Sequence, residues 1–397
     1  MAKILFINGP ASGHVNPTLG LVEDLAAAGE EIVYLCSEQF RGQVERPGVD
    51  FIAYDNFLDS GDPFQTKHFI SVVIKILSAY DTILPAVREA ASGHTFDYLI
   101  HDSMYGCGRV VADMLGIPHI ATCTSLIGVE RTAETGRDAA EMKKNSQLLR
   151  TFTVLAAQIR KKYGIRRNLA LQDIFFNEGL MNLVFTSALF QPDSNKLGSH
   201  FHFVGPGLSG RRPQGVLPPA GDDNGRRLIY ISMGTVFNRV HEIYDLMFEA
   251  LASFDGDVWM AIGNRISVAE LGRVPSNFTV APSMPQLDVL ARADLFITHG
   301  GMNSVNEALY YNVPLIVIPL AADQPLNADR VQTLGAGIRL ERDTLTSGAI
   351  RESVNRMLAS EHYRVRSAVV GESLRTAGGR QQAMSCIRAF KKQHRLD

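Results

Sequence analysis

From Asp294 to Gln324 the chain reads DLFITHGGMNSVNEALYYNVPLIVIPLAADQ. A short apolar run, Leu295 to Thr298, leads into His299-Gly300-Gly301. A helical stretch opened by Asn303 or Ser304 runs through Tyr311, and Pro314 restarts an extended run, Leu315 to Ile318. A strand that hands glycines to a helix N-terminus makes an anion site, because free backbone N–H groups and the positive end of the helix dipole converge there. Asp323-Gln324 follows the next strand and is therefore expected at the same rim of a parallel sheet, where open α/β sheets bind ligands. Ser304-Val-Asn-Glu307 has a second reading that needs no ligand: Ser followed three residues later by Glu is a capping box. The cluster of His299, two glycines, Asn303, Ser304 and Glu307 exceeds what capping requires.

The same pattern opens the chain. Lys3 to Asn8 reads as a buried strand and Gly9 to Asn16 as a turn-rich loop. Pro17 suits a first helical position behind an Asn16 cap, and Gly29 ends the helix. Glu31 to Cys36 is the next strand. The spacing Gly9-x-x-x-Gly13 is not GxGxxG, and no acidic residue closes the second strand, so a dinucleotide fingerprint is not supported. Tyr98 to Asp102 reads as strand four, ending in acid, and His119 to Cys123 as strand five. Phe69 to Leu84, apolar on more than one face, is either a helix buried between layers or a wall of an apolar substrate cleft. Gly205 to Gly225, rich in glycine and proline, reads as a linker, after which strand and helix alternation restarts at Arg227. The expected organisation is an α/β chain of two doubly wound, Rossmann-like domains facing each other across a cleft: residues 1–205, a linker 206–225, residues 226–379, and a terminal helix 380–397 that packs back on the first domain.

A length of 397 residues suits two to three domains, and a net charge of −2 gives no electrostatic case for nucleic acid or an anionic membrane. The longest nearly unbroken apolar run, Val313 to Ala322, is ten residues and holds two prolines, so no membrane span is expected. No signal peptide is read at the N-terminus. Cys36, Cys107, Cys123 and Cys386 lack CxxC spacing and are expected as buried thiols in a reducing cytoplasm.

Two stretches together, GHVNP (Gly13 to Pro17) and the run from Pro285-Gln286 through HGGMNSVNEAL to Asp323-Gln324, resemble the family 1 nucleotide-sugar glycosyltransferases of the GT-B fold, in their bacterial macrolide- and flavonoid-glucosylating branch. The likeness covers almost the whole chain and is weak from roughly Phe57 to Pro192. It implies that His14 is the general base that deprotonates an acceptor hydroxyl, and that Asp102 orients and stabilises its imidazole. His101 is set aside because strand alternation turns it to the other face. On the donor side the resemblance places Ser232, Gly234 and Thr235 against the nucleotide and phosphates, and His299, Gly301, Asn303 and Ser304 around the diphosphate. Glu307 is implied at the ribose, Asp323 and Gln324 at the sugar hydroxyls, and Gln286 near base and ribose. Many members of that family carry an aromatic residue two places before the Pro-Gln pair. Ser283 stands there in this chain, with Met284 and Pro285 as an apolar shelf, which leaves uridine or thymidine open.

The implied reaction is a single inverting displacement from a UDP-sugar, glucose being favoured, to a hydroxyl of a hydrophobic small molecule such as a flavonoid, another phenol or a macrolide. No D-x-D pair or Cys/His cluster is found, so the chemistry is expected to need neither metal nor cofactor; Asp222-Asp223 lies in the linker. A monomer or weak homodimer is expected. Alternatives are a nucleotide-sugar epimerase or hydrolase on the same scaffold, and a non-catalytic nucleotide-sugar-binding protein. The acceptor contacts are not legible: Phe57, Phe64, Phe69, Ile127, Phe175 and Phe176 read as core before they read as pocket wall.

Overall fold

The structure is a computed structural model describing residues 2–58, 69–105, 107–128, 139–210, 215, 217–218, 225–234 and 240–396. It divides into two compact units. One comprises Met1–Thr186, Asp193–Arg211 and Ala377–Asp397; the other comprises Ser187–Pro192 and Arg212–Thr376.

Among the described residues the first unit holds seven strands: β1 (Lys3–Ile7), β2 (Glu31–Ser37), β3 (Val49–Tyr54), β4 (Tyr98–Asp102), β5 (His119–Cys123), β6 (Met181–Val184) and β7 (Phe201–Phe203). They form one parallel sheet in the order β3-β2-β1-β4-β5-β6-β7. Every residue of β4 and β5 is buried, as expected of parallel strands covered on both faces. β3 lies at the sheet edge and alternates, with Asp50 and Ala53 exposed, so it lacks the continuous apolar run that marks its neighbours. Successive strands step outward from β1 on one side and from β4 on the other. The crossovers therefore part at the β1/β4 boundary, the switch point where a crevice opens at the carboxyl ends.

Two sequence expectations change here. Asn16 caps no helix: a short helix, Ser12–Val15, begins behind extended Ala11, and Asn16–Thr18 is a 3-10 turn leading into Leu19–Ala27. Phe69 to Leu84 becomes two helices, Phe69–Ser78 and Tyr80–Gly93. Val72, Val73, Ile76, Leu77, Ile83 and Leu84 pack with Leu5, Val33 and Leu99, which makes the stretch core rather than cleft wall. By length and composition alone Ile70–Gly93 could cross a membrane, but its most apolar window is 56% buried inside the unit. All four cysteines are buried and free.

The helix Gly379–His394 belongs to the first unit. Ala383, Met384, Ile387 and Phe390 pack with Ile4, Phe6, Leu25 and Tyr98. Lys391 on this helix forms a buried ion pair with Glu30, whose other oxygen accepts the Ala2 N–H at 2.8 Å.

The second unit holds β8 (Arg227–Ser232), β9 (Gly256–Ala261), β10 (Phe278–Ala281), β11 (Leu295–Thr298), β12 (Leu315–Val317) and β13 (Gly337–Arg339), all parallel in the order β10-β9-β8-β11-β12-β13. Its core joins Ile229, Ile231, Val258, Leu295, Ile297 and Ile316, and its switch point falls between β8 and β11.

Removing one member of a buried ion pair strands the other charge. Lys391→Met is therefore expected to destabilise the chain by about 3 kcal/mol, read as a lower denaturant midpoint at unchanged slope. A midpoint equal to wild type would refute a structural role for the pair.

Candidate active site

In the first unit the β1 and β4 ends bring His14 and Asp102 together. β1 delivers the loop that folds into the Ser12–Val15 turn, and the β1/β4 register sets Ile7 opposite His101, one residue short of Asp102. His14 Nδ1 lies 2.6 Å from Asp102 Oδ2. The carboxylate is fully buried, and its other oxygen accepts the N–H groups of Met104 (2.8 Å) and Tyr105 (2.7 Å). Burial alone would raise the Asp102 pKa. The His14 charge and hydrogen bond, together with those two backbone N–H groups, outweigh it and hold the acid below its ordinary range. With Nδ1 engaged by Asp102, Nε2 is left as the nitrogen able to take a proton. Thr124, just past β5, places its hydroxyl 3.1 Å from the same Nδ1, and the Tyr105 ring meets His14 edge-on at 5.0 Å. Phe57 stacks on Tyr54 at 6.1 Å and tilts against Tyr105 at 5.5 Å, so a run of rings leads up to His14. Ile127 is buried, Phe175 and Phe176 are half-buried, Phe64 lies outside the described residues, and the Phe69 side chain is likewise not described.

His101 does point away. Its Nδ1 donates to the Asp102 carbonyl at 3.0 Å, and its Nε2 meets His119 Nδ1 at 3.0 Å. Loss of hydration lowers their pKa values to about 4 and about 3, so both rings are neutral.

In the second unit, register sets Ser232, Thr298 and Val317 side by side at the carboxyl ends of β8, β11 and β12. The turns after them carry the donor candidates. The His299 ring lies so close to Gly234 and Gly301 that a Cβ there would fall 2.7 Å and 2.6 Å from its atoms, so only glycine leaves room for it. Loss of hydration drives the His299 pKa down to about 4, partly countered by its hydrogen bond to the Ser232 backbone. The neutral ring keeps one N–H, and the Ser232 carbonyl takes it.

The helix that follows spans Met302–Tyr310 and is preceded by Gly301 at the cap, one to two residues earlier than the sequence indicated. That shift removes the capping-box reading, because Ser304 now sits inside the first turn. Asn303 and Ser304 occupy that turn with their N–H groups at the helix mouth. Glu307 is buried, and its Oε2 accepts the Gln286 Nε2–H at 2.6 Å; Gln286 also touches Ser304 Oγ and Tyr230 OH, each at 3.4 Å. Met284 is buried one residue before Pro285. Asp323 precedes the helix Gln324–Thr333, and Gln324 Oε1 accepts the Leu320 (2.7 Å) and Ala321 (2.9 Å) N–H groups. Thr235 lies outside the described residues.

Sequence reasoning missed Thr124 and Asn327. Each contacts a residue it had selected, Thr124 from just past the strand next to that of Asp102 and Asn327 one helical turn past Asp323. Among the described residues no group of three or more His, Cys, Asp or Glu side chains is placed to hold a metal ion.

Residues 245–378 match the model of the erythromycin biosynthesis protein CIII-like C-terminal domain. Over nearly full length the chain is 32% identical to the uncharacterized UDP-glucosyltransferase YojK of Bacillus subtilis (strain 168), covering 99% of this chain and 98% of that one. The chain belongs to the family 1 glycosyltransferases. It is 33% identical to the NDP-glycosyltransferase YjiC of the same strain, covering 98% of this chain and 97% of that one. The crystal structure of the glycotransferase of kitacinnamycin superposes with a TM-score of 0.82 at 27% identity, covering 98% of each chain. This family 1 enzyme therefore has the GT-B fold, two parallel-sheet α/β domains, and is a transferase.

Each of His101, His119 and His299 has a pKa lowered by folding from the ordinary 6.5, to about 4, 3 and 4 respectively. Unfolding lets them bind protons below 6.5, so the stability they contribute is present above that pH and is lost as pH falls toward 4. Melting temperature should fall through this window; a flat profile would contradict their neutral burial.

Proposed function

We propose that this glycosyltransferase moves glucose from UDP-glucose to a hydroxyl of a hydrophobic small molecule, a macrolide or a phenol such as a flavonoid, inverting the anomeric centre. The observation that carries the reading is the 2.6 Å contact between His14 Nδ1 and the buried carboxylate of Asp102. A fixed carboxylate on Nδ1 keeps the tautomer in which Nε2 can take a proton, and it stabilises the imidazolium that results. The acceptor oxygen attacks the anomeric carbon as its proton passes to Nε2 of His14. The bond from that carbon to the diphosphate oxygen breaks, and UDP leaves with the electron pair. The N–H groups at the start of Met302–Tyr310 offer donors to the charge that develops, so no metal is assigned to the step. Asp323 and the Gln324 amide meet the sugar hydroxyls. Glu307 exchanges its Gln286 bond for the ribose diol.

UDP and glucose are favoured by the name of the relative YojK, and the macrolide class by the erythromycin-related domain. A hydrophobic acceptor is favoured by the rings of Phe57 and Tyr105 beside His14. Work in the cytoplasm, as a monomer or weak dimer, is part of this reading, and four free, buried cysteines favour the reducing compartment. A thymidine diphosphate donor is the second reading, favoured by Ser283 where relatives carry a stacking ring.

UDP release should be followed with UDP-glucose in EDTA, with and without flavonoids and macrolides. Release that depends on acceptor and yields a β-glucoside is the expected outcome. Acceptor-independent release would instead mark a hydrolase or epimerase, and turnover confined to TDP-glucose would reassign the base. His14→Ala is expected to lower kcat about 10³-fold with UDP affinity unchanged. Asp102→Asn should cost less and should not add to His14→Ala; a His14→Ala enzyme of wild-type rate would remove the base assignment.

A further inference from the structure

We propose that Asn327 is a positioning residue of the donor site, holding the Asp323 carboxylate at a fixed place beside the glycine turn. The inference rests on the reading of Asp323 as a sugar-binding group. Asn327 lies in the first turns of the helix Gln324–Thr333 and is completely buried. Its Nδ2 donates to the Gly300 carbonyl at 2.9 Å and to Asp323 Oδ2 at 3.2 Å. One amide nitrogen thus ties the loop after β11, which carries His299 to Gly301, to the loop after β12, which ends in Asp323.

The orientation of the amide follows from those two partners. Both are acceptors, so a flipped amide would set Oδ1 against a carbonyl and a carboxylate. In the orientation present, Oδ1 is buried and meets no donor among the described residues. Buried polar atoms are nearly always paired, and an orphan at a binding site points to a constraint other than stability. Here the constraint is the pair of bonds on the other end of the amide. Backbone geometry has the same tendency: Gly300 sits at φ +87°, where a Cβ would fall 2.5 Å from Val317 Cγ1, and Ala322 at φ +57° directly precedes Asp323. Both loops hold conformations that ordinary residues resist, and Asn327 joins them.

A carboxylate that binds sugar hydroxyls acts on the glucose ring and not on UDP, so its loss of position should separate the two ligands. In Asn327→Ala the KM for UDP-glucose should rise about tenfold while the Ki for UDP stays within about twofold of wild type. Retained UDP affinity also reports that the variant is folded; should it fail to fold, Asn327→Ser, which keeps one donor, carries the same comparison. Asp323→Ala should raise the KM for UDP-glucose at least as much, and the double variant should be no worse than Asp323→Ala alone. An unchanged KM for UDP-glucose in Asn327→Ala, an equal loss of UDP and UDP-glucose, or additive effects in the double variant would each overturn the proposal. If Asp323→Ala itself leaves UDP-glucose binding intact, the sugar-binding reading fails, and this outcome is distinct from a failure confined to Asn327.

Discussion

Two parallel strands cannot be joined by a tight turn, so the chain must cross back over the sheet before it can lay down the next strand. Repeated through both units, that constraint sends every carboxyl end to one edge and every crossover to a face. It also explains why polar chemistry collects where it does. Strands such as β4 and β5 are buried on both faces, so the polar side chains within them, His101, Asp102 and His119, are each hydrogen-bonded. The turns at their ends are the first places where a side chain can be polar without being in the core. In each unit the crossovers part at one boundary, β1/β4 or β8/β11, and the candidate residues cluster at those two places.

The groups gathered there break the usual rules of an interior. Asp102 is a fully buried carboxylate, and the energy lost by removing it from water is offset by His14 and two backbone N–H groups. His299 loses hydration and responds by staying neutral. Asn327 leaves one acceptor orphaned. Buried polar groups placed against the usual rules of an interior mark a functional site.

How much of this could be read from the sequence depends on whether the signal was local. The His299-Gly300-Gly301 turn was legible because glycine is needed beside the His299 ring and because a strand and a helix flank it within a few residues. The pairing of His14 with Asp102 was reached only through the resemblance, because strand order brings together residues 88 positions apart. Ser304 and Glu307 fitted two local patterns equally well, and the position of Gly301 as the cap decided between them. β3 was not delimited because an edge strand alternates where its neighbours are solid with apolar residues. Thr124 and Asn327 escaped because neither belongs to a pattern of its own: each matters through a neighbour supplied by register or by one helical turn.

The helix Gly379–His394 has a consequence for biosynthesis. It supplies Ala383, Met384, Ile387 and Phe390 to the apolar layer beneath β1 and β4, yet it is translated after the whole of the second unit. While the ribosome is still making that unit, Ile4, Phe6 and Tyr98 lack their cover, and the nascent first half displays a sticky flank. The second unit is contiguous apart from the short Ser187–Pro192 segment and can close its own core as it emerges. The half translated first is therefore the half that matures last, and a chain stalled or clipped before Gly379 is a natural client for chaperones and proteases.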